Sequence, residues 1–172
     1  MTDVTIRPYT TSDLEACRDL WRELTQRHRD IYDDQTIGGD DPGPYFDETH
    51  LKAARRAGTW VAELEDAVVG MYSLLAAEGE EDGEIDPVVV RSELRSRGIG
   101  RRLLEHGIEE ARSRGVRFLN IRPVVRNVEA VELYHEVGFR LLGHLDMFME
   151  VSPAGQRVWR PGVTVHGKEF SY

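Results

Sequence analysis

One continuous stretch, EIDPVVVRSELRSRGIGRRLLEHGIEEA (residues 84–111), constrains the fold more than any other. Val88, Val89 and Val90 give an apolar strand, Gly98 and Gly100 lie in a turn, and Leu103, Leu104, Ile108 and Ala111 recur at helical intervals. A strand, a turn and an amphipathic helix therefore follow one another directly. Pro87 has no amide hydrogen for a ladder bond, which predicts a bulge or a missing partner at that point of the strand. Gly115 supplies the helix stop.

The same turn concentrates positive charge. Arg91, Arg95, Arg97, Arg101 and Arg102 cluster there, in a chain whose 22 Lys and Arg face 31 Asp and Glu for a formal net charge of −9. That balance argues against broad electrostatic binding of nucleic acid or of an anionic membrane surface, so an anion site has to be local. A strand that enters a glycine turn ahead of a helix aims unpaired N–H groups and the positive helix end at one point, and phosphate is the natural occupant. Gly98 and Gly100 permit close backbone approach, and the arginines add charge for phosphate oxygens. An ordinary solvated helix start is the plain alternative. Arg101 and Arg102 stand where a P-loop needs a lysine and a hydroxyl, and Leu103 stands where a dinucleotide fingerprint needs a third glycine. Both of those nucleotide motifs are disfavoured.

Upstream, Val4, Ile6 and Pro8 alternate with Thr5, Arg7 and Tyr9 as a first strand. Ser12 and Glu15 have capping-box spacing ahead of a helix whose face carries Leu14, Cys17, Trp21 and Leu24. Residues 33–46 are rich in Gly, Pro and Asp and predict a loop, followed by a second helix over residues 47–56 stopped by Gly58. TWVAEL and AVVGMYSLL predict a hairpin turning at Glu65 and Asp66. Downstream, VRFLNIRP predicts a strand, residues 128–137 a short helix stopped by Gly138, and FRLLGHLDMFMEV one or two further strands. The order predicts one α/β (α+β) domain with a mixed sheet over residues 1–152, within the core-forming capacity of 172 residues. The tail, residues 153–172, has the pattern of a small hairpin turning at His166 and Gly167, to be packed on the body or on a second subunit.

The single cysteine, Cys17, lies on an apolar helix face, which makes it core rather than nucleophile and excludes an intrachain disulfide. His50, His106, His135 and His144 are scattered without ligand spacing, so no metal is expected. The opening MTDVTIRPYT has no basic segment followed by an apolar run, and no stretch of about 18 apolar residues occurs. A cytoplasmic protein without a membrane partner is expected.

RSRGIG, residues 95–100, resembles the Q/R-x-x-G-x-G/A signature of the GNAT acetyltransferase superfamily. Asn127, Ala130 and Tyr134 in NVEAVELY, followed by Gly138 and Phe139, resemble that superfamily's N-x-x-A-x-x-x-Y segment and its G-F close. The resemblance implies the GNAT fold, a mostly antiparallel twisted sheet flanked by helices with a splayed central strand pair, and acetyl-coenzyme A as cosubstrate. It further implies that Arg95, Arg97, Gly98, Ile99, Gly100, Arg101 and Arg102 cradle the coenzyme pyrophosphate, largely through backbone amides. The pantetheine arm would pair with the free edge at Val88, Val89 and Val90, with a backbone amide near Val89 or Val90 receiving the thioester oxygen. Asn127 would contact the pantetheine arm, and Tyr134 would protonate the departing thiolate.

Acetyl transfer to an amine requires removal of the ammonium proton, because a protonated amine has no lone pair. A carboxylate beside an apolar strand suits that work. Glu84 and Asp86 share a face by period-two alternation, and Glu84 lies where the histone-modifying branch of the superfamily carries its glutamate base. Asp86 is the second candidate. The resemblance places the acceptor amine against residues 28–50, where Asp33, Asp34, Asp40 and Asp41 offer charge and Tyr32, Tyr45 and Phe46 offer a wall. Superfamily members often pair, which makes the tail a candidate homodimer surface. An acyl-coenzyme A binding protein without turnover and an unrelated nucleotide-binding protein are the alternatives to the enzyme.

Overall fold

The computed structural model describes residues 4–53, 56–149, 151 and 159–172. They fall into two compact units, Met1–Arg122 and Pro123–Tyr172. In the first, β1 (Thr5–Pro8) leads through a short 3₁₀ turn to α1 (Leu14–Tyr32), and α2 (Gly43–Phe46) runs on into a wide π-helical turn, Asp47–Leu51. Then come β2 (Arg56–Leu64), β3 (Ala67–Leu75), β4 (Asp82–Val90), α3 (Ile99–Ser113) and β5 (Phe118–Asn120). The sheet order is β1-β2-β3-β4-β5, with β4 and β5 parallel and the other neighbours antiparallel. The mixed, mostly antiparallel sheet expected from the sequence is the one observed.

Local chemistry explains the strand joints. Glu65 and Asp66 both take left-handed φ values, 50° and 63°, as a two-residue hairpin turn demands. In β4, Val88 pairs with Tyr72 and Ile85 with Leu74, so Asp86 and Pro87 together oppose Ser73. This is the bulge that Pro87 predicted, and the Asp86–Pro87 peptide is cis. The extra residue shifts the side-chain phase. Glu84 and Asp86 thereby share a face with Val89 rather than with Val88 and Val90.

Helices cover the two faces of this sheet. Cys17 and Leu20 of α1 pack with Phe46, Val61, Met71 and Val89 on one side. On the other, α3 approaches closely at Gly107, where an added Cβ would lie 3.0 Å from both the Tyr72 ring and Ile85. Tyr72 stacks on Trp60 at 5.0 Å and its hydroxyl meets His106 Nδ1 at 2.7 Å. Burial of six or so large apolar side chains on each face, at about 1.5–3 kcal/mol apiece, outweighs any single polar contact in the unit.

Several expectations are corrected. The helix start is closed by Asp13 rather than by Ser12 and Glu15: the Asp13 carboxylate accepts from the Thr10 amide at 2.8 Å and is also held by Arg7. A carboxylate with a guanidinium partner outcompetes a lone serine for that position. The second helix lies over residues 43–51, not 47–56, and β2 already begins at Arg56 (residues 54 and 55 lie outside those described). Gly58 is therefore not a helix stop but a strand residue, covered by the Trp60 ring, which an added Cβ would overlap.

The second unit contains α4 (Val128–Val137), capped by Asn127 and ended by Gly138 at φ 120°, and a hairpin of β6 (Pro161–Val165) and β7 (Lys168–Ser171) turning at His166 and Gly167. Residues 139–149 form no strand, because no ladder partner for them exists among the described residues, and Leu141, Met149 and Val151 are exposed. The boundary expected at residues 152 and 153 lies outside the described residues. Among those described, no helix is long and apolar enough to cross a membrane.

Candidate functional site

The site grows from the end of β4. Strand β5 pairs only with Asp82, Gly83 and Glu84, so along residues 85–90 that edge has no strand partner among the described residues. The chain then turns. Arg91 is held by Glu23 of α1, Nη1 to Oε1 at 2.9 Å, and the Ser92 amide donates to the other Glu23 oxygen at 2.9 Å. Arg95 Nε donates to the Val90 carbonyl at 3.3 Å, which fixes the strand end.

Helix α3 starts on Gly98, at φ 82°, with no side-chain cap. The first helical bond runs from the Arg102 amide to the Gly98 carbonyl at 3.1 Å, so the amides of Ile99 and Gly100 precede the helical ladder. An added Cβ on Gly98 would meet nothing within 4 Å, so the space beside this helix start is open. Arg97 and Arg102 are exposed beside it, while the Ile99 side chain is buried and anchors the helix end. Uncapped amides, the positive helix end and flanking guanidinium groups suit a pyrophosphate, and an unpaired strand edge suits an amide-bearing arm. These features fit coenzyme A.

At the other end of β4 stand the carboxylates. Glu84 is closed, at 8% exposure, with Arg122 Nη1 at 3.2 Å from Oε1. Asp86 keeps half of its side-chain surface open, 51%, yet desolvation against the sheet raises its carboxyl above the usual range, opposed by Arg122. Its Oδ2 lies 3.9 Å from Nδ1 of His50, on the turn after α2. His50 is buried at 2% exposure, with ring centroids 4.6 Å from Trp21 and 5.9 Å from Phe46. Burial holds its pKa below the ordinary value, with the nearby Asp86 main chain pulling the other way. Trp21 in turn stacks on Tyr45 at 6.0 Å.

Of the acids expected on the acceptor side, Asp34 accepts from the Thr36 amide at 3.0 Å and Asp41 is engaged with an arginine. Asp41 accepts from Arg22 Nε at 2.9 Å, and Asp47 is paired with Arg18. A groove of about 380 Å³ between α1 and the loop is lined by Arg22, Glu23, Arg29 and Asp40 among others, and it does not include the β4 carboxylates. Cys17 is fully buried and its thiol is pushed up to about 12 by desolvation, consistent with a core residue. Among the described residues no group of three His, Cys, Asp or Glu is placed to hold a metal ion.

Two expected site residues belong to the second unit. Asn127 Oδ1 accepts from the Ala130 amide at 3.4 Å as the cap of α4, and the Tyr134 ring meets Phe139 edge-on at 6.4 Å. Glu23 and His50 are site neighbours that sequence reasoning missed. Glu23 offered the signal of a charged residue beside the apolar stripe of α1, whereas a lone histidine in a turn offered none.

The acetyltransferase (GNAT) family model matches residues 16–139. N-alpha-acetyltransferase RimI of Mycobacterium tuberculosis is 31% identical over 159 residues, covering 88% of this chain and 87% of that protein. Mycothiol acetyltransferase of Cellulomonas flavigena is 28% identical over 144 residues, 80% of this chain, but the match spans only 41% of that longer protein. Among solved structures, AAC(6')-Iy in complex with the bisubstrate analogue CoA-S-monomethyl-acetylneamine shares the fold, with a TM-score of 0.64 and 16% identity over 86% of this chain and 98% of its own.

Proposed function

The chain belongs to the acetyltransferase (GNAT) family and is an acyltransferase, and on that premise we propose that it moves the acetyl group of acetyl-coenzyme A to a primary amine by direct attack in a ternary complex. The observation that carries this reading is the adjacency of an unpaired strand edge, residues 85–90, and an uncapped helix start at Gly98. The amides of Ile99, Gly100 and Arg101, with Arg97 and Arg102, hold the pyrophosphate. Arg95 keeps its bond to Val90 and thereby aligns the strand with the cradle. Val88, Val89 and Val90 offer backbone groups to the pantetheine arm, and an amide at Val89 or Val90 polarises the thioester carbonyl.

Proton traffic falls to the carboxylates and a phenol. Asp86 is the more open of the two acids and its carboxyl is raised toward the working range of a base, so it takes the ammonium proton. Glu84 is closed around its ion pair with Arg122 and sets the charge around Asp86. Tyr134 protonates the coenzyme thiolate and Asn127 steadies the pantetheine arm, roles that rest on the family's segment pattern. N-alpha-acetyltransferase RimI acts, by its name, on an α-nitrogen, which supports an amine acceptor here.

Thermal denaturation with acetyl-coenzyme A, coenzyme A, ATP and NAD in parallel tests the first half of this reading. A ligand at 100 times its Kd stabilises the native state by about 2.7 kcal/mol, which raises the midpoint measurably. Selective stabilisation by the coenzyme A species is expected, followed by amine-dependent release of free thiol. Stabilisation by ATP or NAD alone overturns it.

A further inference from the structure

Neither ring nitrogen of His50 has a hydrogen-bond partner among the described residues, although the side chain is 2% exposed. Such a side chain loses its water without replacement bonds, and a phenyl ring would fill the same space between Trp21 and Phe46 without that loss. Among the described residues it forms a close polar approach to Asp86, with 3.9 Å between Nδ1 and Oδ2. That gap exceeds a hydrogen bond by about 1 Å, and the half-open Asp86 carboxylate is free on one side to rotate and close it.

We propose that His50 is a positioning residue for Asp86: its Nδ1–H bonds Oδ2 when an acceptor amine is bound, and so fixes the carboxylate oxygen that receives the ammonium proton. The inference rests on the amine-acetylation reading above. In the step, one N–H bond of the ammonium breaks and an O–H bond forms on Asp86, which frees the nitrogen lone pair. That pair attacks the thioester carbonyl, the C–S bond breaks, and sulfur leaves with its electrons and takes the Tyr134 hydroxyl proton, which the second nitrogen proton then replaces. Asp86 returns its own proton to solvent across its open side. His50 stays neutral throughout, as its burial favours.

The charged and titratable groups around the pair are few. Asp86 is faced by His50 from the turn after α2, by Glu84 on its own strand and by Arg122 beyond β5. His50 is faced by the Trp21 ring from α1 and by Phe46 from α2, with the Arg18–Asp47 ion pair at the start of its own turn. A donor to the carboxylate favours its charged form, so loss of His50 raises the pKa of Asp86.

The test uses the full chain with His50→Phe and His50→Asn, the second keeping an N–H donor near the place of Nδ1. We expect His50→Phe to lower kcat at least tenfold with an unchanged KM for acetyl-coenzyme A, and to move the acidic limb of kcat/KM up by about one pH unit. His50→Asn should recover part of both. Equal losses in the two variants with an unmoved pH profile, or no loss in His50→Phe, overturn the proposal. An activity-independent arm is the ¹⁵N spectrum of the imidazole, in which Asp86→Asn should shift the His50 Nδ1 resonance in the presence of an amine. An unmoved resonance also overturns the pairing. If the wild-type chain acetylates no amine, the functional reading fails by itself, and the imidazole spectrum with the same amines added, compared between wild type and Asp86→Asn, still decides whether the two residues pair.

Discussion

Glu23 of α1 grips the turn that follows β4 with both oxygens, one on the Ser92 amide and one on Arg91, each at 2.9 Å. It ties α1 to the turn that leads into the proposed coenzyme cradle. Glu23→Ala removes both contacts and is expected to cost about 1–2 kcal/mol of stability. The larger effect should fall on KM for acetyl-coenzyme A, raised several-fold with kcat little changed, and Glu23→Gln should lie between. An unchanged KM in Glu23→Ala would show that the turn holds its shape without α1.

Acid sensitivity should centre on Asp13. Hydrogen bonds from Arg7, at 2.8 and 2.9 Å, hold its carboxyl down to about 2 from the ordinary 3.8, against the opposing effect of burial. A depressed folded-state pKa contributes stability above the unfolded value and loses it as pH falls from 3.8 toward 2. Asp13→Asn should therefore cost about 2 kcal/mol at neutral pH. Urea titrations across that acid range check it, because the wild-type advantage should shrink toward pH 2; a constant difference would place the effect in packing.

At Gly98 the backbone and the ligand make separate demands. The φ of 82° strains any β-branched residue, while asparagine tolerates it and finds open space for its side chain. Gly98→Val is expected to lose about 1–2 kcal/mol and coenzyme affinity together. Gly98→Asn should keep its melting temperature yet bind coenzyme A about tenfold more weakly, since its side chain occupies the space in front of the helix amides. Calorimetry on the asparagine variant decides: full affinity would remove the pyrophosphate from this position.

Elements governed by local rules were legible in the sequence. Glu65 and Asp66 turn because two acidic residues between alternating strands have few other options, Pro87 makes a bulge because it lacks a donor, and α3 shows its period plainly. The misses share a different cause. Asp13 closes the helix start through Arg7, Gly58 is a strand residue under Trp60, and His50 meets Asp86 across 36 positions of sequence (86 − 50). In each case the deciding partner is remote or lies outside the local pattern, so periodicity carries no trace of it. The phase shift at Pro87 adds a subtler case: the bulge was expected, but not that it would put Asp86 on the face of Val89.

Tyr134 supplies an independent check on the departing group. Tyr134→Phe removes one hydroxyl and leaves the ring that packs against Phe139 in place. Turnover should fall about tenfold or more while coenzyme binding and melting temperature hold, as expected for a general acid. An unchanged kcat would assign the tyrosine to packing alone.

The two acids of β4 separate most sharply by exposure. Glu84 is nearly closed and has Arg122 at 3.2 Å, so an ammonium group would have to displace a guanidinium to reach it. Asp86, two residues on, is half open, lies on the same face and has a raised carboxyl pKa from desolvation. A base with those properties accepts a proton near neutral pH more readily than an ordinary carboxylate. Asp86→Asn is therefore expected to lower kcat about a hundredfold or more. Glu84→Gln should lower it tenfold or less, because Glu84 is closed and Arg122, 74% exposed, is solvated without it. Single-turnover rates measured with saturating acetyl-coenzyme A separate the two. The opposite ranking would make Glu84 the base, with Asp86 and His50 reduced to its surroundings.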